Sequence, residues 1–409
     1  MTTFADSAAD LVERSADRPR RRELWAAYVA AGLPTTDDEV WRYAPLSALR
    51  LDDFAAGRPT RTDPGDDTVA ALTEGAALVL RIVDGELVAS ERSLPGLSVS
   101  TEEPGAALDG VSFEDRYRAD AFALLAGALT PGRVVLRVAP GVRVAGPVIL
   151  VHEVTSRAAL PVTRVEHAPG SRVEIVECYL GGADALVAPL GEYLVGDDAE
   201  LVLSSYQRLA TTCWHVARTT AVLGRDARVR QSVVGLGGHY NRARNDAEFV
   251  GPGAANELRT TFLGTGRQVH DLRTHQFHKA GRTTSTLLSK GAVADHARSV
   301  YTGLIEIEKG ARRTDARQRN LNLLLAPTAH ADTVPNLDIR ENDVACAHAS
   351  SVGPLDEMQL WYLESRGVER TEAERLLVLG FFNEMTDSMP AAVARLVELD
   401  VAGVLARAS

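Results

Sequence analysis

Residues 196–209 read GDDAELVLSSYQRL, and residues 224–235 read GRDARVRQSVVG. Each stretch opens on a glycine/aspartate turn, passes one small residue, and continues as a run of alternating apolar and polar side chains. Alternation with period two and frequent β-branched residues predict a half-buried strand. The same arrangement recurs as APGS before Arg172, GPGA before Ala255 and EKGA before Arg312. The small residues that start these strands are Ser171, Ala199, Ala227, Ala254 and Ala311, at intervals of 28, 28, 27 and 57. The last interval is about twice the others, and a weaker member near Thr283 fills it. Val142 in APGVRV extends the series backward by 29 residues.

A period near 28 without intervening helices is the pattern of a repeat architecture. One coil cannot bury its own inward side chains, but a stack can, because every strand then pairs with the coil above and below. The expected fold is therefore mainly β, a parallel β-helix. A β-sandwich with accidental spacing is the alternative, and the sustained period speaks against it.

Outside this core the patterns change. In RRELWAAYVAAGLP, Leu24, Trp25, Tyr28 and Val29 stand at helical spacing, and Gly32 and Pro34 stop the helix. Thr36 and Glu39 form a capping-box pattern for a second short helix. ALVLRIVDGELVAS reads as short strands between turn-rich segments. At the other end, PLDEMQLWYLESRG carries Leu355, Met358, Trp361 and Tyr362 on one helical face, with Gly367 as C-cap. TEAERLLVLGFFNEM has a Thr371/Glu374 capping box and a stripe of Leu376, Leu377, Phe381 and Met385. Pro390 opens a third helix. The domain expectation is 1–120 as an N-terminal helical and mixed region, 121–345 as the β-helix core, and 346–409 as a C-terminal helical domain.

Composition narrows the function. A net charge of −11 would repel nucleic-acid phosphate. Only three of the 44 basic residues are lysine: Lys279, Lys290 and Lys309. None follows a glycine, so the chain has no G-x-x-x-x-G-K-[ST] loop to cradle phosphates, and any ATP-driven step belongs to another subunit. GLGGHYN at 235–241 is glycine-rich but no helix pattern follows, which suits a tight coil corner. Three widely spaced cysteines argue against a disulfide framework and for a reducing cytoplasm. The first residues lack an apolar stretch of signal-peptide length, and no run approaches the ~18 apolar residues of a membrane span.

Among metal-ligating types, His270, His275 and His278 cannot converge locally. On a strand, His270 and His278 share one face and His275 takes the other. They read as structural or interface residues. Cys178 and Cys213 fall in the strand-rich repeat and read as core filling. Cys346 and His348, in DVACAHASSVG, project from the same face of an extended segment and could both touch a soft metal. Two ligands do not complete a tetrahedral site. The pair is either half of a site completed by another subunit or no site at all.

Three segments carry a family resemblance. TVPNLDIRENDVACAHASSVGPLDEMQLWYLESRGVERTEAERLLVLGFFNEM, KGAVADHARSVYTGLIEIEKGARRTDARQRNLNLLL and GLPTTDDEVWRYAPLSAL resemble the SufB/SufD family of iron–sulfur cluster assembly proteins. The pattern is closer to the SufD branch. The Cys-x-His and following VG-x-LD of that branch match Cys346, His348, Val352, Gly353, Leu355 and Asp356, and the SufB-type Glu-His-Glu-Ala-like segment is absent. Where SufD members usually read Cys-Ser-His-Gly-Ala-Thr, this chain reads CAHASS, small for small.

The resemblance implies a right-handed parallel β-helix between helical regions. It also implies pairing with a SufB-like chain and binding of the ATPase SufC through the C-terminal helices. The histidine matching His348 would face a SufB cysteine where a transient iron–sulfur cluster forms, with Cys346 beside it. On this view the chain alone holds no cluster stably and is a non-catalytic cytoplasmic scaffold. Trp361, Tyr362, Leu376 and Phe381 are then candidate SufC-docking residues, with packing on the end of the β-helix as their alternative role. Two other readings are a SufB-like carrier acting as a homodimer, which the few cysteines disfavour, and a β-helix carbohydrate-active enzyme. The last needs paired carboxylates along a groove. Asp246, Glu248 and Glu257 form no pair that recurs at the coil period.

Overall fold

A left-handed residue precedes each small residue of the repeat and turns the chain into the next strand. Gly170 (φ 67°) precedes Ser171, Asp198 (57°) precedes Ala199, Asp226 (55°) precedes Ala227 and Gly253 (75°) precedes Ala254. Glycine pays least for this conformation, and aspartate is among the residues that tolerate it. The small residues behind them are buried, because the corner is closed by the neighbouring coils. The weak member resolves to Thr283, behind Arg282 at φ 59°. Its buried hydroxyl bonds His278 Nδ1 at 2.7 Å and Thr314 Oγ1 at 3.0 Å, replacing the apolar contact of an alanine with a polar one. At Ala311 the strand starts later than the repeat suggests, at Thr314, because Arg313 (φ 57°) adds a second left-handed turn.

These turns build a parallel β-solenoid of about eight turns in the computed structural model, which describes residues 3–15, 17–54, 66–90, 93–103, 120–387 and 389–408. A ten-stranded sheet runs from Glu86–Ser90 and Leu78–Val83 at one end to Val344–Gly353 at the other. An eleven-stranded sheet runs from Leu97–Glu102 to His330–Ile339. Registers are continuous from coil to coil, as in Arg172↔Glu200↔Arg228↔Ala255. Inward side chains therefore stack in columns. Val173, Leu201 and Val229 form one such column, all buried. Antiparallel pairs close the N-terminal end, where Leu78–Val83 meets Glu86–Ser90 and Leu97–Glu102 meets Arg133–Val138.

The N-terminal region lies on the outer face of the eleven-stranded sheet. Helices Phe4–Arg14 and Arg18–Ala31 pack there with the wholly buried Ala121–Leu129. Leu24 and Tyr28 face the core as expected, whereas Val29 faces solvent. The capping box expected at Thr36/Glu39 is not formed. Glu39–Trp41 is a single 3-10 turn, with the Asp38 carboxylate accepting from the Thr35 N–H at 2.9 Å. Tertiary packing decides this segment: Trp41 is sandwiched between Phe122 (5.4 Å between ring centroids) and the Arg242 guanidinium (3.6 Å). Arg242 in turn pairs with buried Asp271 at 2.7 Å, and Arg218 bridges Asp120 and Asp246 at 2.8 Å each.

The C-terminal helices, Glu357–Ser365, Arg370–Thr386 and Ala391–Ala408, lie along the opposite face. Val378, Phe382, Met385 and Val397 bury against the outward side chains of the ten-stranded sheet, including Cys178 and Val234. The stripe expected through Leu376, Leu377, Phe381 and Met385 is therefore rotated, and Leu376 is exposed. The Thr371/Glu374 box is also absent. The helix begins one residue before Thr371, so its hydroxyl bonds the Glu369 carboxylate and Glu374 pairs with Arg370. The expected 345/346 boundary falls inside the last solenoid strand, Val344–Gly353.

Arg282 holds a corner that other coils give to glycine or aspartate, so Arg282→Gly is expected to stabilise the chain by about 1 kcal/mol in urea denaturation. Unchanged or lower stability would show that the Arg282 side chain anchors the turn.

Candidate functional site

The last coil has no coil beyond it. Among the described residues, His330–Ile339 pairs only with Arg298–Ile307, and Val344–Gly353 only with Thr314–Leu324. Two strand edges thus end the solenoid side by side. The register sets Cys346 above Ala316, His348 above Gln318, Ser350 above Asn320 and Val352 above Asn322. The four lower residues are buried inward-facing positions, so their upper neighbours face the open mouth of the interior. On the facing strand Thr333, Leu337 and Ile339 stand above Tyr301, Ile305 and Ile307. A hydrogen bond of 2.6 Å between the Thr333 and Ser350 hydroxyls ties the two edges together.

Burial measures what the missing coil leaves open. Ile305 and Ile307 are fully buried, whereas Leu337 and Ile339, one coil later on the same columns, are 38% and 40% exposed. Solenoids normally carry a polar cap at such an end, and this one presents apolar side chains and unpaired backbone.

His348 is exposed at this mouth. Cys346 is half-buried against the cluster of Ile305, Ile307, Ala311 and Ala316. Burial, with the Asp315 carboxylate second, raises its thiol pKa, so it is a protonated thiol at neutral pH. No group of three or more His, Cys, Asp or Glu converges as a metal site among the described residues. What the mouth presents is one thiol and one imidazole, two residues apart on the same face of the strand edge.

The other sequence candidates are placed elsewhere. Cys178 and Cys213 are sealed, and burial raises both thiols. His270 and His278 point inward from Val269–His278, and His275 points outward to Glu306 at 3.0 Å. His270 belongs to an interior chain in which Asn241 bridges it (3.1 Å) to His215 (2.8 Å). Asp246, Glu248 and Glu257 are each ion-paired, to Arg218 and Arg244, to Lys279 and to Arg259. On the first C-terminal helix Trp361 and Tyr362 are 63% and 54% exposed. Met358, beside them, is 71% exposed and was not singled out from the sequence as a docking residue. Phe381 differs: it packs on Phe382 and lies under Lys290.

Residues 150–381 match the family model described as SUF system FeS cluster assembly, SufBD core domain. The chain belongs to the SufBD family. It is 28% identical over 384 residues to the iron-sulfur cluster assembly protein SufD of Escherichia coli, covering 91% of this chain and 89% of that one. The Bacillus subtilis SufD is 30% identical over 69% of this chain and 65% of its own. A SufBD family protein of Mycobacterium tuberculosis is 31% identical over 89% and 87%. Within this SufBD-family chain the matched core runs from the strand Arg143–Val154 through the mouth and into the helix Arg370–Thr386. No helix among the described residues is long and apolar enough to cross a membrane.

Burial lowers the pKa of the interior histidines: His215, His270 and His167 to about 4, His152 and His278 to about 3. The unfolded chain protonates such rings near 6.5, so below that pH it binds more protons than the folded chain. Stability is fully present above about pH 6.5 and falls as the pH drops toward 4. The urea midpoint should fall steadily across that window, with a shallower slope in His152→Phe. A midpoint constant from pH 7 to 4.5 would contradict the burial of neutral imidazoles.

Proposed function

We propose that this chain is a SufD-type scaffold subunit that pairs with a SufB-like chain through its open solenoid mouth. The nascent iron–sulfur cluster is the cargo built between them, and a SufC-like ABC ATPase docks on the C-terminal helices. The observation that carries this reading is the mouth itself. It has two unpaired strand edges, an apolar rim of Leu337, Ile339 and Val352, and His348 exposed beside Cys346. A facing strand or solenoid end would satisfy the free backbone and cover the rim.

In this arrangement His348 offers iron an imidazole nitrogen, a more labile donor than a thiolate, which suits a cargo that must be passed on. Cys346, a thiol in the free chain, becomes the secondary donor only by giving up its proton as iron binds. Trp361 and Tyr362, with Met358 and Leu376, form the exposed apolar surface offered to the ATPase, while Phe381 serves chiefly to seat its helix on the solenoid. The chain itself contributes position rather than catalysis, and its compartment is the cytoplasm.

A self-paired carrier is less favoured, because two of three cysteines are sealed and the mouth holds only one thiol. It predicts a stable cluster on the chain purified alone under anaerobic conditions.

Reconstitution with its SufB-like and SufC-like partners, iron and a sulfide source is expected to slow at least tenfold in His348→Ala while the complex still forms. Wild-type assembly rates in that variant would remove the ligand role.

A further inference from the structure

The glycine-rich stretch GLGGHYN, residues 235–241, does more than turn a corner. Its first glycine ends a strand of one sheet, and its asparagine lies at the start of a strand in the other. A Cβ on Gly235 would stand 2.2 Å from Asn241 Nδ2, so the glycine makes room for that amide. The amide in turn sets two buried rings. Asn241 Oδ1 accepts from His215 Nδ1–H at 2.8 Å, and Asn241 Nδ2 donates to His270 Nδ1 at 3.1 Å. With both Nδ1 atoms committed, the neutral His215 has a bare Nε2 and the neutral His270 carries its proton on Nε2. Neither Nε2 has a hydrogen-bond partner.

Both rings line a cavity inside the solenoid, between the two sheets. Space is left there because Ala217 and Ala243 follow one another in the same column. Asn245 lines it from the same sheet and Thr260 from the opposite one, and Asn245 Nδ2 and Thr260 Oγ1 are likewise unpaired. All four of these side chains are at most 4% exposed. Burying so many unpaired polar atoms together is costly unless something bonds them. The one acid on the lining, Asp271, is spent on Arg242 and Tyr240, so the site offers no free charge to a cation. The cavity gives about 30 Å³ to the centre of a water molecule. One water needs about 10–15 Å³ of such space and two to four polar partners.

We propose that this cavity is a hydration site, holding about two water molecules as fixed parts of the solenoid core. Water matches the donor and acceptor set. It donates to the bare His215 Nε2 and accepts from Asn245 Nδ2 and His270 Nε2–H, while the Thr260 hydroxyl takes either role. An apolar occupant would leave all four atoms unpaired.

The site goes beyond the proposed function and is tested on the full-length chain alone. Long-lived buried water is counted by 17O relaxation dispersion of the solvent, in the wild type and in Ala243→Val, which narrows the cavity. The wild type should hold more such waters than Ala243→Val, and an equal count would overturn the site. Thr260→Val, which keeps the side-chain shape, gives an independent sign. A hydroxyl that binds water stabilises the fold, so its loss lowers the urea midpoint; a hydroxyl buried dry is a burden, and valine raises the midpoint. The midpoint is expected to fall, and a raised or unchanged one would overturn the proposal.

Discussion

A coil of a β-solenoid is completed only by its neighbours. Its backbone bonds run to the coils above and below, and its inward side chains lose their water only when the next layer covers them. In this chain that constraint is met along the whole stack and at the N-terminal end, where antiparallel strands close it. It fails at Val344–Gly353 and His330–Ile339. The free energy left unclaimed there is what a second chain can gain, and the first of these strands displays His348 and Cys346.

The sides of the solenoid are already spoken for. Trp41, Arg242, Asp271, Arg218 and Asp120 fasten the N-terminal region to one face through buried charge and ring stacking. An ion pair taken out of water stabilises only when its geometry is good and its remaining bonds are satisfied. This network therefore fixes where the region sits more than it adds stability. The C-terminal helices cover the other face through apolar packing, aided by the hydrogen bond from the Tyr206 hydroxyl to Asp400. Among the described residues, two exposed surfaces of different character stand out: a backbone edge at the mouth and the outer side of the first C-terminal helix.

Much of the fold was legible because the corner chemistry repeats. Glycine and aspartate at left-handed positions, each followed by a small buried residue, mark coils at the sequence level, and even Thr283 was located by spacing alone. The capping boxes were not legible. Thr36 and Thr371 carry the right side chains, but Trp41 packing and an earlier helix start override a preference worth only about 1 kcal/mol. The mouth residues could be paired by i, i+2 spacing. Their placement at an uncapped end could not, since it depends on which coil is last. Leu376 and Phe381, expected on one stripe, fall on different faces because helix rotation is set by the sheet beneath. Met358 lay in the same apolar face as Trp361, a signal that could have included it.

The central claim is that the open mouth is covered by another polypeptide. Amide hydrogen exchange of residues 330–339 and 344–353, measured on the chain alone and with a SufB-like partner, tests it most directly. The account predicts that the outward-edge amides of both strands, exchanging readily in the free chain, slow by at least tenfold in the complex. A complex that forms while these amides keep their free exchange rates, with protection appearing elsewhere on the surface, would contradict it.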